Sequence, residues 1–355
     1  MIIDSVRLYR LNAFLTKPYH TAFGDLEYFD ATVALVAAGE NMAAGESTAV
    51  FGYSWESPDD VWDFITAQAP LVLGRETKAA RNELSSFEQT HPFGVTPLLS
   101  AIEILDGEFS YPQKDWRFPL VGILNTAVKE EIPAMLERLL EEGFTTIKFK
   151  IGFDVDRDIH KIKLIQSLLG GRGLLRLDAN QMYTLEQAQR LVREVPPDYI
   201  ELLEQPFKAG DWETMERFAP QCPLPLMLDE SIYNAQSISR VLETGCASYI
   251  KLKVMKSGGL CTLRDQALQV TEKGLKLVIG NGAATDISCA HELLVGRQAG
   301  LEAAGEMNGY LKMRLPLISN TLGFDKGQAM LKSGGTMLPE ADMLEEQAVA
   351  SVLLL

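Results

Sequence analysis

The chain has 355 residues, 46% of them hydrophobic and 23% charged, and its formal net charge is −15. This length allows a large core or two domains, and the negative charge argues against nucleic acid or an anionic membrane as partner, because both are bound through basic patches. The four cysteines have neither CxxC nor zinc-like spacing, which is typical of reduced thiols. Because no signal-peptide pattern and no membrane-spanning apolar stretch occurs, we expect a cytoplasmic protein.

The first 119 residues predict an α+β module. Two segments rich in aromatic residues and glycine, 18–24 and 50–55, are expected to be loops that fold over a site in the following module. The remaining patterns predict strands at 2–11 and 31–38, a turn at 41–45 leading into a strand at 46–50, and helices at 59–69 and 97–105.

From residue 120 onward, strand-like and helix-like segments alternate with a period of about 25 residues. Eight such units favour a closed (β/α) barrel over an open doubly wound sheet. A solenoid is a weaker alternative, because the units share no consensus motif. We therefore expect a capping domain over residues 1–119, a barrel over 120–320, and a C-terminal segment, 321–355, that packs back on the capping domain. The apolar runs begin near Val121, Thr146, Leu174, Tyr199, Pro225, Tyr249, Lys276 and Leu301, and helices are predicted at 130–142, 155–169, 185–194 and 260–273.

Three acidic residues, Asp178, Glu204 and Asp229, close three consecutive apolar runs. The carboxyl ends of barrel strands converge on one face, so these side chains are expected to meet. Oxygen ligands of this kind indicate a hard cation such as Mg²⁺. The alternative is that each acid caps the next helix or pairs with a lysine. Asn180 and Glu230 are candidates for supporting the ligands.

Two lysine pairs flank the acidic trio, Lys148 with Lys150 and Lys251 with Lys253. Side chains two residues apart in a strand point to the same side, so all four lysines are expected to approach the barrel mouth. Lys150 and Lys253 lie nearest the strand ends and are the predicted bases. Lys148 is expected to lower the pKa of Lys150 or to bind a substrate carboxylate. The alternative is that the lysines are ion-pair partners of the carboxylates.

The whole chain resembles the enolase superfamily and, within it, the muconate lactonizing enzyme subgroup. Residues 6–10 and 21–24 are also similar to the capping domain of that family. The resemblance rests on five motifs in the same order, Lys148-Phe-Lys150, Leu177-Asp178-Ala-Asn180, Glu204-Gln-Pro206, Asp229-Glu-Ser231 and the run from Lys253 to Gly259.

The resemblance implies a modified (β/α)₇β TIM-type barrel with an N-terminal α+β capping domain. It also implies Mg²⁺, with Mn²⁺ as a substitute, held by Asp178, Glu204 and Asp229 against the carboxylate of a small substrate. Lys150 and Lys253, on opposite faces, would then remove and return the α-proton through an enediolate.

This chemistry predicts a racemase or epimerase of an amino acid derivative, either a dipeptide or an N-acyl amino acid. The alternatives are a syn-dehydratase like o-succinylbenzoate synthase and a cycloisomerase of the muconate type. We also expect a homo-oligomer, whose subunit number the sequence leaves open.

Substrate recognition is expected at the ends of the last two strands and in the capping loops. Glu306-Met-Asn308 stands where dipeptide epimerases have Asp-x-Asp for the substrate ammonium, and Asn308 brings no charge. Alternatively, Glu306 only caps the following segment. Asn281 and Asp286 offer polar contacts after the seventh strand. The capping-loop candidates, which are equally compatible with interface packing, are His20, Phe23, Phe51, Tyr53 and Trp55.

Two other classes of protein are less compatible with these residues. A degenerate barrel that only binds a ligand would be expected to have lost a metal carboxylate or a lysine, and none is lost. A sugar-acid dehydratase of the mandelate racemase type usually carries a histidine base on the seventh strand, and residues 276–281 contain none. His291 falls within the next helical pattern and is expected to be a packing or surface residue.

Overall fold

The computed structural model describes residues 1–21, 24–126 and 128–355 of the chain. Its strands are β1 (Ser5–Thr21), β2 (Gly24–Ala38), β3 (Asn41–Thr48), β4 (Trp116–Pro119), β5 (Val121–Leu124), β6 (Thr146–Lys150), β7 (Leu174–Asp178), β8 (Ile200–Glu204), β9 (Leu226–Leu228), β10 (Tyr249–Leu252), β11 (Lys276–Ile279), β12 (Leu322–Asp325), β13 (Gln328–Leu331) and β14 (Ala348–Leu354). Its helices are α1 (Pro58–Val72), α2 (Thr77–Leu84), α3 (Pro92–Leu105), α4 (Ile132–Glu141), α5 (Val155–Leu169), α6 (Leu185–Glu194), α7 (Trp212–Phe218), α8 (Ala235–Thr244), α9 (Val254–Ser257), α10 (Leu260–Glu272), α11 (Asp286–Gln298) and α12 (Ala341–Gln347).

An antiparallel sheet, in the order β14-β1-β2-β3, begins the fold. The predicted turn at 41–45 is wrong, because Asn41 already pairs with Ala38 as the first residue of β3. The chain reverses instead at Gly39 and Glu40, where Gly39 has a φ of 64° that suits a glycine. The C-terminal strand β14 lies on the other edge of the sheet, where Leu354 pairs with Val6.

The two predicted capping loops differ in structure. Residues 50–55 form neither helix nor strand, as predicted. The prediction of a loop at 18–24 is wrong, because β1 extends to Thr21 and β2 begins at Gly24, with His20 paired to Asp25. Pairing with β2 is interrupted after Phe14 and resumes at Tyr19, and the side-chain hydroxyl of Thr21 donates a hydrogen bond to the Gly24 carbonyl. Phe23, one of the candidate recognition residues, lies outside the described residues.

Seven parallel strands form a curled sheet in the order β11-β10-β9-β8-β7-β6-β5. Backbone at Gly305 and Glu306 joins the two edges, so it takes the place of the eighth strand. Gly305 accepts from the N–H of Val121, beside β5, and the N–H of Glu306 donates to Ile279 of β11. The hydrophobic core fills the space between this sheet and its surrounding helices. The predicted α/β barrel class is confirmed.

The start of α3 and the structure of the C-terminal tail differ from what the sequence pattern predicts. α3 begins at Pro92 rather than at the predicted residue 97, because Pro92 occupies the first turn and Pro97 is accommodated inside the helix. The turn-rich tail contains a hairpin, β12–β13, that pairs with β4 in a third sheet. Across the described residues, no helix has the length and apolar character needed to cross a membrane.

Candidate active site

The three predicted metal ligands lie at the carboxyl ends of adjacent strands. Asp178 ends β7, Glu204 ends β8, and Asp229 directly follows β9. All three are buried. The side chain of Gln205 fixes the last of these turns, because its carbonyl oxygen accepts the N–H groups of Asp229 and Ser231 at 3.1 and 3.2 Å. The backbone therefore holds three carboxylates in one buried layer.

Lysine ammoniums lie between these carboxylates. Lys148 Nζ is 2.9 Å from Asp178 Oδ2 and 2.7 Å from Glu204 Oε2. Lys251 Nζ is 3.1 Å from Glu204 Oε1 and 2.5 Å from Glu306 Oε2. Burial alone would lower the pKa of Lys148, but the three carboxylates around it, including that of Glu306, raise this pKa well above its ordinary value. The predicted ion-pair alternative therefore describes Lys148 and Lys251 in this structure, and also Lys253, which pairs with Asp229.

Lys253 and Lys256 surround Asp229 from the opposite side. Lys253 donates to Asp229 Oδ2 at 2.7 Å and to the hydroxyl of Tyr53 at 2.5 Å. Lys256 donates to the carbonyl and the carboxylate of Asp229. Burial would raise the pKa of Asp229, but the ammoniums of Lys253 and Lys256 hold it well below its usual range. Burial also lowers the pKa of Lys256 to about 8.

Lys150 differs from the other three predicted lysines. Within the part of the chain that the structure describes, it has neither a hydrogen bond nor an ion pair, and its Nζ lies 5.3 Å from the centroid of the Tyr19 ring. It is also less buried than Lys148. Its amine is therefore available to a ligand.

These groups share one small cavity of about 80 Å³. Its wall includes both lysine pairs, as the period-two strand pattern predicts, together with Asp178 and Asp229. β6 and β10 are separated by three strands on one side, and by β11, the Gly305 segment and β5 on the other. Lys150 and Lys253 therefore approach the cavity from opposite sides of the barrel, with the three carboxylates between them.

The donor set fits a divalent metal in its chemistry. Three buried carboxylates on adjacent strand ends are the oxygen ligands that Mg²⁺ prefers, and Glu204 Oε2 accepts no hydrogen bond although Lys148 Nζ is near. In the conformation described, however, no three His, Cys, Asp or Glu side chains of the described residues converge on a single ion position. In this conformation the lysine ammoniums supply the positive charge next to the three carboxylates.

The predicted substrate residues have different surroundings. Glu306 lines the cavity and contacts Lys148 and Lys251, so it does not serve as a helix cap. Asn308 is buried and donates to the carbonyl of Val121. Asn281 also lines the cavity.

Of the candidate recognition residues in the capping segments, some line the cavity and others do not. Tyr53 reaches the cavity from the loop at 50–55. His20 is exposed, pairs with Asp25, and does not line this cavity. Phe51 is 81% exposed, and Trp55 stacks on Tyr233 at 4.1 Å. The structure therefore brings one of these four side chains to the lysines.

Three residues at the site were missed by sequence reasoning. Lys256 lies one helical turn after Lys253. It belongs to the motif from Lys253 to Gly259, but only Lys253 of that motif was predicted to act at the site. Tyr19 lies between Lys150 and Lys312, with the two Nζ atoms 5.3 and 4.6 Å from its ring centroid. Tyr19 lies in the aromatic-rich segment 18–24 that was expected to fold over the site, but it was not itself named. No local pattern singles out Lys312, which belongs to the 3₁₀ helix Gly309–Lys312 and is distant from Tyr19 in sequence.

Comparison with known proteins identifies the family of the chain. The family described as "Enolase C-terminal domain-like" matches residues 131–339. The L-Ala-D/L-Glu epimerase of Bacillus subtilis is 32% identical over 314 residues, which cover 81% of this chain and 82% of the relative. The N-succinyl-L-Arg/Lys racemase of Bacillus cereus is 23% identical over 333 residues, 88% of each chain.

A solved structure extends the likeness to the whole fold. The dipeptide epimerase of Cytophaga hutchinsonii, complexed with Mg and the dipeptide D-Ala-L-Val, superposes with a TM-score of 0.91 at 18% identity and covers 100% of both chains. The named relatives are racemases and epimerases, which confirms the prediction of an isomerase-class enzyme. The family match covers more than half of the chain, and the chain therefore belongs to the enolase superfamily.

Proposed function

We propose that the protein is a divalent-metal-dependent racemase or epimerase that acts on the carbon α to the carboxylate of an amino acid derivative. The observation that carries the proposal is the placement of Lys150 and Lys253 on opposite sides of one small cavity, with three buried carboxylates between them. Two bases on opposite faces of one carbon are what inversion by proton transfer requires. The substrate is a dipeptide or an N-acyl amino acid, as the relatives' names suggest.

Each lysine has a distinct part in the mechanism. Lys150, which has no acidic partner in the described structure, takes the α-proton from one face of the substrate. Lys253, which already donates to Asp229 and Tyr53, holds a proton on the opposite face and returns it to the carbon. In the reverse direction the two roles are exchanged. The buried ammoniums of Lys148 and Lys251 favour the negative charge that the carboxylate gains when the α-proton leaves.

Asp178, Glu204 and Asp229 would hold the metal, which is Mg²⁺ with Mn²⁺ as substitute. When bound, such an ion supplies a Lewis acid for the substrate carboxylate. Asn180 supports this layer, because its N–H donates to Asp178 Oδ1 and its side-chain amide donates to Glu230.

The test measures proton transfer at each face separately. Wild-type protein with Mg²⁺ is expected to exchange the α-hydrogen of both enantiomers of its substrate in D₂O and to interconvert them. Lys150→Ala and Lys253→Ala are each expected to lose interconversion by at least 10³-fold, because one of two required proton transfers is missing. Each variant should still exchange the enantiomer whose proton faces the lysine that remains.

Lys163→Ala removes an exposed lysine of α5 and is the matched control. Full interconversion in either active-site variant would contradict the two-base mechanism. If wild-type protein exchanges no α-hydrogen in a panel of dipeptides and N-acyl amino acids, racemisation is wrong, and dehydration or cycloisomerisation becomes the better assignment.

A further inference from the structure

The backbone holds the two proposed bases in different ways. Lys150 is the last residue of β6 and pairs with Asp178 of β7, so the sheet fixes its position. Lys253 lies one residue beyond β10, whose pairing with β11 ends at Leu252 and Ile279. Lys253 has extended backbone angles, φ −142° and ψ 139°, and directly precedes the single-turn helix α9. Its position therefore depends on contacts outside the sheet.

The peptide group between Lys253 and Val254 is held at both of its polar atoms. The carbonyl of Lys253 accepts from the hydroxyl of Ser257 at 3.2 Å, and Ser257 belongs to α9 itself. The N–H of Val254 donates to Glu292 Oε1 at 3.1 Å, and Glu292 belongs to α11. Of these two hydrogen bonds, the one to Glu292 therefore connects the peptide to another element of the barrel.

Glu292 is an unusual residue for a purely structural contact. Its side chain is fully buried, and its Oε2 accepts no hydrogen bond from any described residue. A buried polar atom without a partner destabilises a fold, so stability alone does not account for an acid here. Burial raises the pKa of Glu292 to about 8, although the N–H of Val254 and the ammonium of Lys253 act in the opposite direction. The group is therefore mostly neutral at pH 7, which makes glutamine a close substitute for it.

The direction of the Lys253 side chain depends on where this peptide lies. Its Nζ is 2.7 Å from Asp229 Oδ2 and 2.5 Å from the hydroxyl of Tyr53. A reacting group that is displaced by about 1 Å can lose on the order of a hundredfold in rate. A shift of the peptide after Lys253 would redirect its ammonium, whereas Lys150 would stay fixed by its sheet pairing.

We infer that Glu292 is a positioning residue for Lys253, because its carboxyl group holds the N–H of Val254 and thereby directs the Lys253 ammonium at the reacting carbon. This inference rests on the proposed function and adds to it a residue that does not line the cavity. The alternative is that Glu292 only caps α9. Its loss would then reduce stability, or slow both proton transfers alike.

The test measures the α-hydrogen exchange rate of each substrate enantiomer in variants of Glu292. Lys150→Ala and Lys253→Ala first identify the enantiomer that each lysine serves. Glu292→Met keeps the length of the side chain and removes the oxygen acceptor. It should slow exchange of the enantiomer served by Lys253 at least tenfold more than exchange of the other. Glu292→Gln retains an acceptor and should restore most of the lost rate.

Val254→Pro removes the donor instead of the acceptor and should give the same selective loss. Proline suits the first residue of a helix, and the extended angles of Lys253 are those of a residue before proline. Asp158→Leu is the matched control, because Asp158 is a buried acid that accepts the N–H of Gly152, two residues beyond the other base, at 2.8 Å. It should not slow the Lys253 side selectively.

Three results would overturn the inference and leave the proposed function standing: Glu292→Met without a selective loss, Glu292→Gln as slow as Glu292→Met, or the same selectivity in Asp158→Leu. If Glu292→Met does not fold, Val254→Pro decides by the same criterion. If wild-type protein exchanges neither enantiomer, the proposed function fails, and crystal structures of wild type and Glu292→Met decide the inference. Nζ of Lys253 should then lie farther from Asp229 in the variant, with Lys150 in place, and an unmoved Nζ would overturn the inference.

Discussion

A single hydroxyl connects the capping loop to the catalytic groups. Tyr53 Oη donates to Asp229 Oδ1 at 3.1 Å and accepts from Lys253 Nζ at 2.5 Å. The Nζ also lies 4.3 Å from the centroid of the Tyr53 ring. The hydroxyl therefore orients Lys253, and the ring maintains contact with it if the hydroxyl is removed.

Tyr53→Phe is accordingly expected to slow proton transfer by Lys253 more than proton transfer by Lys150. A hydrogen bond to a charged group contributes about 1.5–3 kcal/mol, which corresponds to a loss of about ten- to a hundredfold in rate. The measurement is the α-hydrogen exchange rate of each enantiomer, with Tyr28→Phe, a partly exposed tyrosine of β2, as control. Equal slowing of both enantiomers would show that the hydroxyl acts on the whole site and not on Lys253.

A second residue-scale prediction concerns His291. It is buried in α11, and neither ring nitrogen has a hydrogen-bond partner among the described residues. Burial lowers the pKa of His291 to about 4, so the unfolded chain, with a pKa near 6.5, binds a proton more readily than the folded protein. Stability should therefore fall as the pH decreases from 6.5 toward 4, by about 2 kcal/mol at pH 5.

His291→Met, which keeps the volume and removes the titrating ring, should reduce this acid-dependent loss. The check is the free energy of unfolding by urea at pH 8 and pH 5, compared between variant and wild type. An equal loss in both proteins would assign the acid sensitivity to other groups. His160, an exposed histidine of α5, provides the control variant His160→Met.

The residue scale also shows what a strand pattern can predict. Lys148, Lys150, Lys251 and Lys253 were placed on one cavity because side chains alternate along a strand. Lys312 was not found, because its proximity to Tyr19 depends on how β1 packs against a 3₁₀ helix that is distant in sequence. Lys256 had a usable signal, since it lies one helical turn beyond a predicted base.

At the scale of elements, buried acids of the N-terminal module bind the N-termini of barrel helices. Glu103 of α3 accepts from the N–H groups of Leu260 and Cys261 at the start of α10, at 2.6 and 3.3 Å. Glu46 of β3 accepts from the N–H of Ser288 at the start of α11. The first N–H groups of a helix have no partner within it, so these carboxylates satisfy donors that would otherwise be buried and unpaired.

Glu103→Ala is expected to destabilise the protein by about 1–3 kcal/mol, because it leaves the N–H groups of Leu260 and Cys261 without an acceptor. Glu103→Gln retains an acceptor and should lose less. Burial raises the pKa of Glu103 to about 7, so in wild type the folded state holds the proton more tightly, and stability decreases as the pH rises from 4.5 to 7. Glu103→Gln should lack this decrease.

Chemical unfolding of both variants at pH 5 and pH 7.5 measures these effects, with Glu40→Ala, at an exposed turn, as control. A Glu103→Gln variant as unstable as Glu103→Ala would show that the N–H groups require the carboxylate itself. Sequence reasoning did not find this contact, because α3 and α10 are separated by more than 150 residues and an isolated glutamate carries no positional signal.

At the scale of the molecule, the barrel was predictable and the three-stranded sheet of β12, β13 and β4 was not. Eight apolar runs at regular spacing predict a closed barrel because each unit has the length of one strand and one helix. The sheet of β12, β13 and β4 joins segments of four residues each, from opposite ends of the barrel sequence. Such short strands carry too little alternation to be recognised, and their pairing depends on the fold that surrounds them.

The cluster of lysines and carboxylates predicts how the molecule responds to metal removal. Because the ammoniums already contact Asp178, Glu204 and Asp229, the metal-free protein should remain folded. A metal that binds only the folded state should stabilise it by about 2.7 kcal/mol at a hundred times its Kd. We therefore expect chelation by EDTA to abolish α-hydrogen exchange and lower the Tm without changing the circular dichroism spectrum at 25 °C, and Mg²⁺ to restore both activity and Tm.

Asp178→Asn and Asp229→Asn should bind Mg²⁺ at least tenfold more weakly in calorimetry. Loss of the spectrum on chelation would mean that the lysines do not substitute for the metal, and an unchanged Tm with unchanged exchange would show that these carboxylates hold no metal.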